Sequence, residues 1–241
     1  MWLVDETRCG YAAVLVDIVD SRHHGDRAAL QEQVAEAAAV LNARIPSLDP
    51  MTSTVGDELQ ATYADLFVAI RAVSELRLEL AGVVGIRAGI GWGDIVMHDA
   101  ERSPFGQDGP AWWSARSALD SVAASTAWSG YEARFGVEFA AEAPAVASDA
   151  PPRETSTTRP PARPLALDAV AVVRSHLALL DRAFATIDAT EARIVLGDLA
   201  EVPTEEIAAE LSLSSSAVSQ RRRRNHLREL VAALRVIDTA P

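Results

Sequence analysis

The chain has 241 residues, of which 49% are hydrophobic and 23% charged, with a formal charge of −12; this is the composition of an ordinary globular protein with room for two modest domains or one large one. Its one cysteine, Cys9, excludes a disulfide within one chain and a cysteine zinc site. No apolar run has membrane-spanning length and no basic-then-apolar leader is found, so a cytoplasmic protein without a membrane partner is expected. All 22 basic residues are arginine, which excludes any mechanism that needs a lysine. Residues 1–150 hold 10 Arg against 22 acids, whereas residues 151–241 hold 12 of each.

Residues 11–19 read as a buried strand, and Asp26 to Arg44 as an amphipathic helix with Leu30, Val34, Ala37, Ala38 and Leu41 on one face. After a turn at 46–50, residues 51–63 alternate around a central Gly-Asp, the signature of a hairpin. Asp65 is placed to cap a helix that runs to about Leu80, and residues 82–91 form a further strand. A loop at 94–109 leads to Pro110, which suits the first turn of another helix, and Phe135 to Phe139 read as a last strand. The order βαββαβαβ predicts an α+β sandwich of ferredoxin-like type, with helices on one face of a mainly antiparallel sheet. This domain spans 1–142. Residues 143–164 hold six of the twelve prolines and read as a linker, and residues 165–241 have helical periodicity.

Two acidic residues end apolar strand-like runs: Asp17 after Ala12–Val16, and Asp57 after Thr52–Val55. Neighbouring strand-end carboxylates make an oxygen site for Mg²⁺ or Mn²⁺, of the kind that holds nucleotide phosphates. Glu58 adjoins Asp57, and strand alternation predicts that only one of the two points into the site. Ser21 and Arg22 offer a hydroxyl and a guanidinium to phosphate. Each acid also has a purely structural role open to it as a turn cap, and Arg87 as an ion-pair partner. His23 and His24 are read as solvated rather than as ligands. No P-loop or dinucleotide-binding glycine motif is present.

The ordered blocks D-I-V-D-S at 17–21, T-V-G-D-E at 54–58, R-A-G-I-G-W-G at 87–93 and G-P-A-W-W-S-A-R at 109–116 resemble those of SatD-family proteins and, more distantly, class III nucleotidyl cyclase domains. The resemblance covers about residues 11–139. It implies that Asp17 and Asp57, with the Ile18 carbonyl, hold metal, and that Arg116 is the catalytic arginine that stabilises the transition-state phosphate. It also implies a homodimer, since cyclase-like domains usually pair. Two departures are clear. Trp112 stands where those cyclases have a catalytic asparagine, and Ser53 stands at the purine-reading position. Trp112 and Arg116 share a helix face as an i, i+4 pair and are expected to line one cleft. Trp112 and Trp113 can stack a base, or else pack in a core or a dimer contact.

Residues 190–235 read as three helices, at 190–199, 204–211 and 214–236. Thr204 is placed to cap the second, with Glu205 and Glu206 in its first turn, and Ser214–Ser216 to cap the third. Ser216, Ser219, Gln220 and the block Arg221, Arg222, Arg223, Arg224 with Arg228 are expected to face outward toward double-stranded DNA, with no acid between 211 and 228. This stretch resembles region 4 of sigma factors and LuxR-type helix-turn-helix units. The alternative is a helical dimerisation hairpin with a solvated arginine face. The stripe Leu227, Leu230, Val231, Leu234 and Ile237 must bury either in a dimer or under the earlier helices, where the helix at 166–187 offers a partner surface.

The sequence therefore predicts a DNA-binding regulator whose N-terminal domain binds a nucleotide or a divalent metal, or serves as a dimer platform. The alternative is a divergent nucleotidyl cyclase or other metal-dependent phosphoryl-transfer enzyme.

Overall fold

The computed structural model describes residues 10–21, 25–54, 57–98, 106–124, 135–139 and 169–236. The expectations for Arg22, His23, His24, Ile237 and the linker at 143–164 lie outside the described residues. The first part of the chain forms β1 (Tyr11–Ile18), α1 (Arg27–Arg44), β2 (Asp49–Ser53), β3 (Glu58–Tyr63), α2 (Leu66–Glu79) and β4 (Ile86–Gly93). There follow β5 (Val96–Met97), β6 (Gln107–Asp108), α3 (Pro110–Ala124) and β7 (Phe135–Phe139). The sheet order is β2-β3-β1-β4-β7, antiparallel throughout except that β7 runs parallel to β4. The expected loop at 94–109 contains a two-residue ladder of its own, β5 with β6.

Local chemistry explains the helix starts. The Asp26 carboxylate accepts from the Ala29 amide at 3.0 Å. Asp65 accepts from Phe67 and Val68, at 2.7 and 3.0 Å. Each satisfies amides that the first helical turn leaves without carbonyl partners.

The expectation of helices on one face is corrected. Ala12, Val14 and Val16 of β1 join the core beneath α1 and α2, while Ala13 and Leu15 join Ala111, Ala115 and Leu119 of α3 on the opposite face. A central strand buried on both faces reads as a continuous apolar run, so alternation could not reveal the second layer. Glycine makes that layer possible. A Cβ at Gly91 would overlap the Ala111 carbonyl oxygen, and one at Gly89 the Ala115 carbonyl oxygen. The bare backbone of β4 is what lets α3 lie so close.

The C-terminal part is wholly helical among its described residues: α4 (Ala169–Phe184), α5 (Ala189–Leu199), α6 (Thr204–Glu210), α7 (Ser215–Arg224) and α8 (Leu227–Val236). The single helix expected over 214–236 breaks at Asn225-His226, where His226 takes φ +54. Leu227, Leu230, Val231 and Leu234 are buried, and α8 packs on α5 and α7 more than on the expected α4. Thr204 does not cap α6. Pro203 holds the cap position without a side-chain bond, and the Thr204 hydroxyl instead accepts from Arg222 at 2.8 Å. Ser214 does cap α7, accepting from the Ala217 amide at 3.1 Å.

Both parts share one hydrophobic core, in which Val73 and Leu76 of α2 cluster with Ile194 and Val195 of α5. Polar links reinforce the contact. Arg77 donates to the buried Asp181 carboxylate and lies 5.1 Å from the Phe184 ring centroid. Arg193 bridges Glu79 and Glu210, each at 2.9 Å. No helix among the described residues is long and apolar enough to cross a membrane.

Candidate functional site

Register places the acidic residues. Asp17 pairs across to Glu58 on β3 and to Arg87 on β4, so the three share one face at the end of β1. That face is the α3 side, because Leu15, two residues earlier, packs under α3. Asp57 lies in the turn just before β3, and its carbonyl accepts from the Ile18 amide at 3.3 Å. The buried Ser21 hydroxyl donates to the Asp57 carboxylate. Glu58 shares the α3-side face with Asp17, and Asp57, in the turn before β3, also lies near enough to act electrostatically on Asp17. Strand alternation does not govern Asp57, which stands outside the strand.

The electrostatics follow from this crowding. Burial, then the charges of Asp57 and Glu58, raise the Asp17 pKa above its ordinary 3.8, against the opposing pull of Arg87 and Arg116. Arg87 lies 3.8 Å from the Asp17 carboxylate. Arg116, one turn along α3 from Trp112, donates to both Glu58 oxygens, at 2.9 and 2.7 Å. Its guanidinium therefore stands beside the carboxylates, held by one of them.

Among the described residues no group of three or more His, Cys, Asp or Glu side chains could by itself cage a metal ion. Asp17 and Asp57 are carboxylate oxygen donors of the type that a hard divalent cation takes. Mg²⁺ is commonly held by one or two carboxylates plus waters and substrate phosphates, without an all-protein cage.

Beside the carboxylates, a cleft of about 460 Å³ opens between α3 and β3, lined by Leu15, Gln60, Gln107, Trp112, Trp113 and Arg116 with Glu58 at its edge. Trp112 and Arg116 thus meet at one cleft. Ser53 does not join them, since it pairs with Leu59 and shares that residue's face, opposite Glu58 and Gln60. Sequence reasoning missed Gln60. The available signal was its spacing, two residues beyond Glu58 on the same strand.

The arginine block divides. Arg222 is only 6% exposed, its guanidinium bonded to Asp198 at 2.9 and 2.5 Å as well as to Thr204. This corrects the expectation that the whole block faces outward. Residue 222 lies one turn beyond Val218, on the buried side of α7, and Asp198 at the end of α5 neutralises it. Arg221 is half-buried and pairs with Asp188 and Glu191, at 3.3 and 3.5 Å. Ser216, Gln220, Arg223, Arg224 and Arg228 are exposed and Ser219 is half-buried.

An α+β domain with helices on both faces of its sheet and carboxylates gathered at the end of β1 is the class of protein that this fold and site define. The chain matches the SatD family over residues 11–138, and it belongs to that family. No curated protein matches it. Among solved structures it is similar to a bacterial light-regulated adenylyl cyclase, with 13% identity and a TM-score of 0.40, over 54% of this chain and 75% of that one. It is similar also to an adenylate cyclase from Trypanosoma brucei in its monomeric state, with 17% identity and a TM-score of 0.36, over 50% and 72% of the two chains. A third is a double mutant of the guanylyl cyclase domain of the RhoGC fusion protein from the aquatic fungus Blastocladiella emersonii, with 14% identity and a TM-score of 0.37, over 46% and 73%.

Proposed function

We propose that the strand-end site binds the phosphates of a nucleotide together with Mg²⁺ or Mn²⁺, in the manner of a divergent nucleotidyl cyclase or related phosphoryl-transfer enzyme. The observation that carries this reading is the convergence of Asp17 and Asp57 at one end of β1 with Arg116 beside them. Asp17 and Asp57 would hold the cation. When bound, such a cation neutralises phosphate oxygens and lowers the pKa of an attacking hydroxyl. Ser21 orients the Asp57 carboxylate through its hydroxyl. Arg116 would exchange its bond to Glu58 for a phosphate oxygen, supplying positive charge where negative charge develops. Trp112 carries no amide to position a ribose, which favours binding or a different transfer over ring closure.

The test is thermal unfolding with nucleoside triphosphates, with and without Mn²⁺. Saturation at 100 times the dissociation constant should raise the midpoint by about 5–10 °C. Asp17→Asn and Asp57→Asn should each abolish the cation-dependent part. The absence of any shift in the unmodified protein would overturn the reading.

A second reading, double-stranded DNA binding by α6 and α7, is favoured by one observation. Ser216, Gln220, Arg223 and Arg224 recur at helical spacing on the exposed side of α7, with Arg228 exposed beyond it. A homodimer would present two such faces. Fluorescence anisotropy with a random duplex library, alongside light scattering, tests both parts; no retention of any duplex at low salt would reject the DNA reading.

A further inference from the structure

The cleft beside the carboxylates has a construction that phosphate binding alone does not require. On the α3 side of the sheet, Gln60 continues the strip begun by Glu58, directly across from Leu15. α3 covers β1 and β4 but leaves this strip of β3 open. Two indoles stand along the opposite wall, each tied by its ring N–H. Trp112 donates to Gln107 Oε1 at 3.3 Å, and Gln107 in turn donates to Asp49 at 2.7 Å. Trp113 donates to Asp108 Oδ1 at 2.7 Å and remains 62% exposed. The β5–β6 ladder thus sets both indoles in place. Trp113, with its polar edge satisfied within the protein and its ring largely in water, offers an open aromatic face, and the half-buried Trp112 beside it is anchored on the α3 cluster.

Gln60 completes the arrangement. Its amide has no hydrogen-bond partner among the described residues, so both its donor and its acceptor are available in the cleft. The volume, about 460 Å³, lies within the range of small-molecule sites. An apolar floor at Leu15, an aromatic wall and one free amide are the features that accept a flat, hydrogen-bonding heterocycle. The charged end of the cleft, Glu58 with Arg116, leads toward Asp17.

We propose that this cleft holds the base of the bound nucleotide, stacked on the tethered Trp112–Trp113 wall and read at its edge by the Gln60 amide. The proposal rests on the nucleotide reading above and goes beyond it by assigning the part of the site that distinguishes a nucleotide from bare polyphosphate.

The experiment compares dissociation constants by titration calorimetry of the full chain with Mn²⁺. The ligands are the four common ribonucleoside triphosphates and inorganic triphosphate. At least one nucleotide should bind about tenfold or more tightly than inorganic triphosphate, the range expected for one stacked base. Gln60→Leu should cut that margin by about threefold or more, and so should Trp113→Ala. Both should leave inorganic triphosphate binding unchanged. Trp113 is exposed enough for its removal to leave the fold intact. Equal affinity for nucleotides and inorganic triphosphate would overturn the proposal, as would variants that keep the full margin. If neither nucleotides nor inorganic triphosphate bind, the phosphate reading fails, and the four free nucleosides decide the cleft. A nucleoside that binds the unmodified protein but not Gln60→Leu sustains the cleft; binding by none overturns it.

Discussion

At the scale of single residues, the site is built against its own stability. Burial first, then the charges of Asp57 and Glu58, raise the folded-state pKa of Asp17. A carboxylate with a raised folded pKa contributes stability only while protonated, and that contribution is lost as pH rises through the folded value. Ionised Asp17 is therefore expected to destabilise the metal-free protein at neutral pH. Asp17→Asn should raise the unfolding midpoint at pH 7, and the gain should shrink to nothing below the ordinary value of 3.8. Thermal scans of both proteins across pH, with chelator present, check this; an Asp17→Asn protein less stable at pH 7 would contradict it. Arg222 presents the opposite case. Its charge is buried and matched by Asp198, so Arg222→Ala strands a carboxylate and should cost about 3 kcal/mol in urea unfolding. Arg223→Ala, on the exposed side of the same helix, should stay within about 0.5 kcal/mol.

At the scale of elements, the contact of α3 with β4 decides whether the cleft exists. Gly91→Ala would push a methyl group into the Ala111 carbonyl, and backbone cannot rotate away as a side chain can. The substitution should cost about 3 kcal/mol or more. It should also weaken nucleotide binding, because Trp112 and Arg116 ride on the displaced helix. Urea midpoints with calorimetry of the folded variant measure both effects. The division of the arginine block has a consequence at this scale too. If α7 binds DNA, three arginines per chain (Arg223, Arg224 and Arg228) remain for phosphates. The logarithm of affinity should then fall with the logarithm of salt at a slope of about −2.7 per bound chain, against about −4.5 if all five took part. Anisotropy titrations over a range of salt distinguish the two.

At the scale of the molecule, the helical part and the sheet domain share apolar core and are pinned by the Arg77–Asp181 pair. Asp181 is 1% exposed, so Asp181→Ala, which leaves Arg77 without its buried partner, should cost about 3 kcal/mol. Breaking the half-exposed Arg193 links should cost less than about 1 kcal/mol. Near-UV and far-UV circular dichroism should report one coincident unfolding transition for the full chain. Two separated transitions would show that the shared core does not couple the parts.

The sequence by itself determined the local grammar of this protein. The periodic face of α1, the aspartate cap at 65, the hairpin at 51–63 and the position of Asp17 near the end of β1 are all properties of neighbouring residues, and neighbouring residues are what a chain displays. Tertiary structure alone decided which faces meet. It placed α3 on the far side of the sheet, because a strand buried on both faces carries no alternation to betray a second layer. It turned Arg222 inward, because the acid that neutralises it is 24 residues away. It set Gln60 opposite two tethered tryptophans, because strand register and helix docking are long-range facts. A pattern of periods fixes each element's own faces, and only the packing of elements determines what those faces enclose.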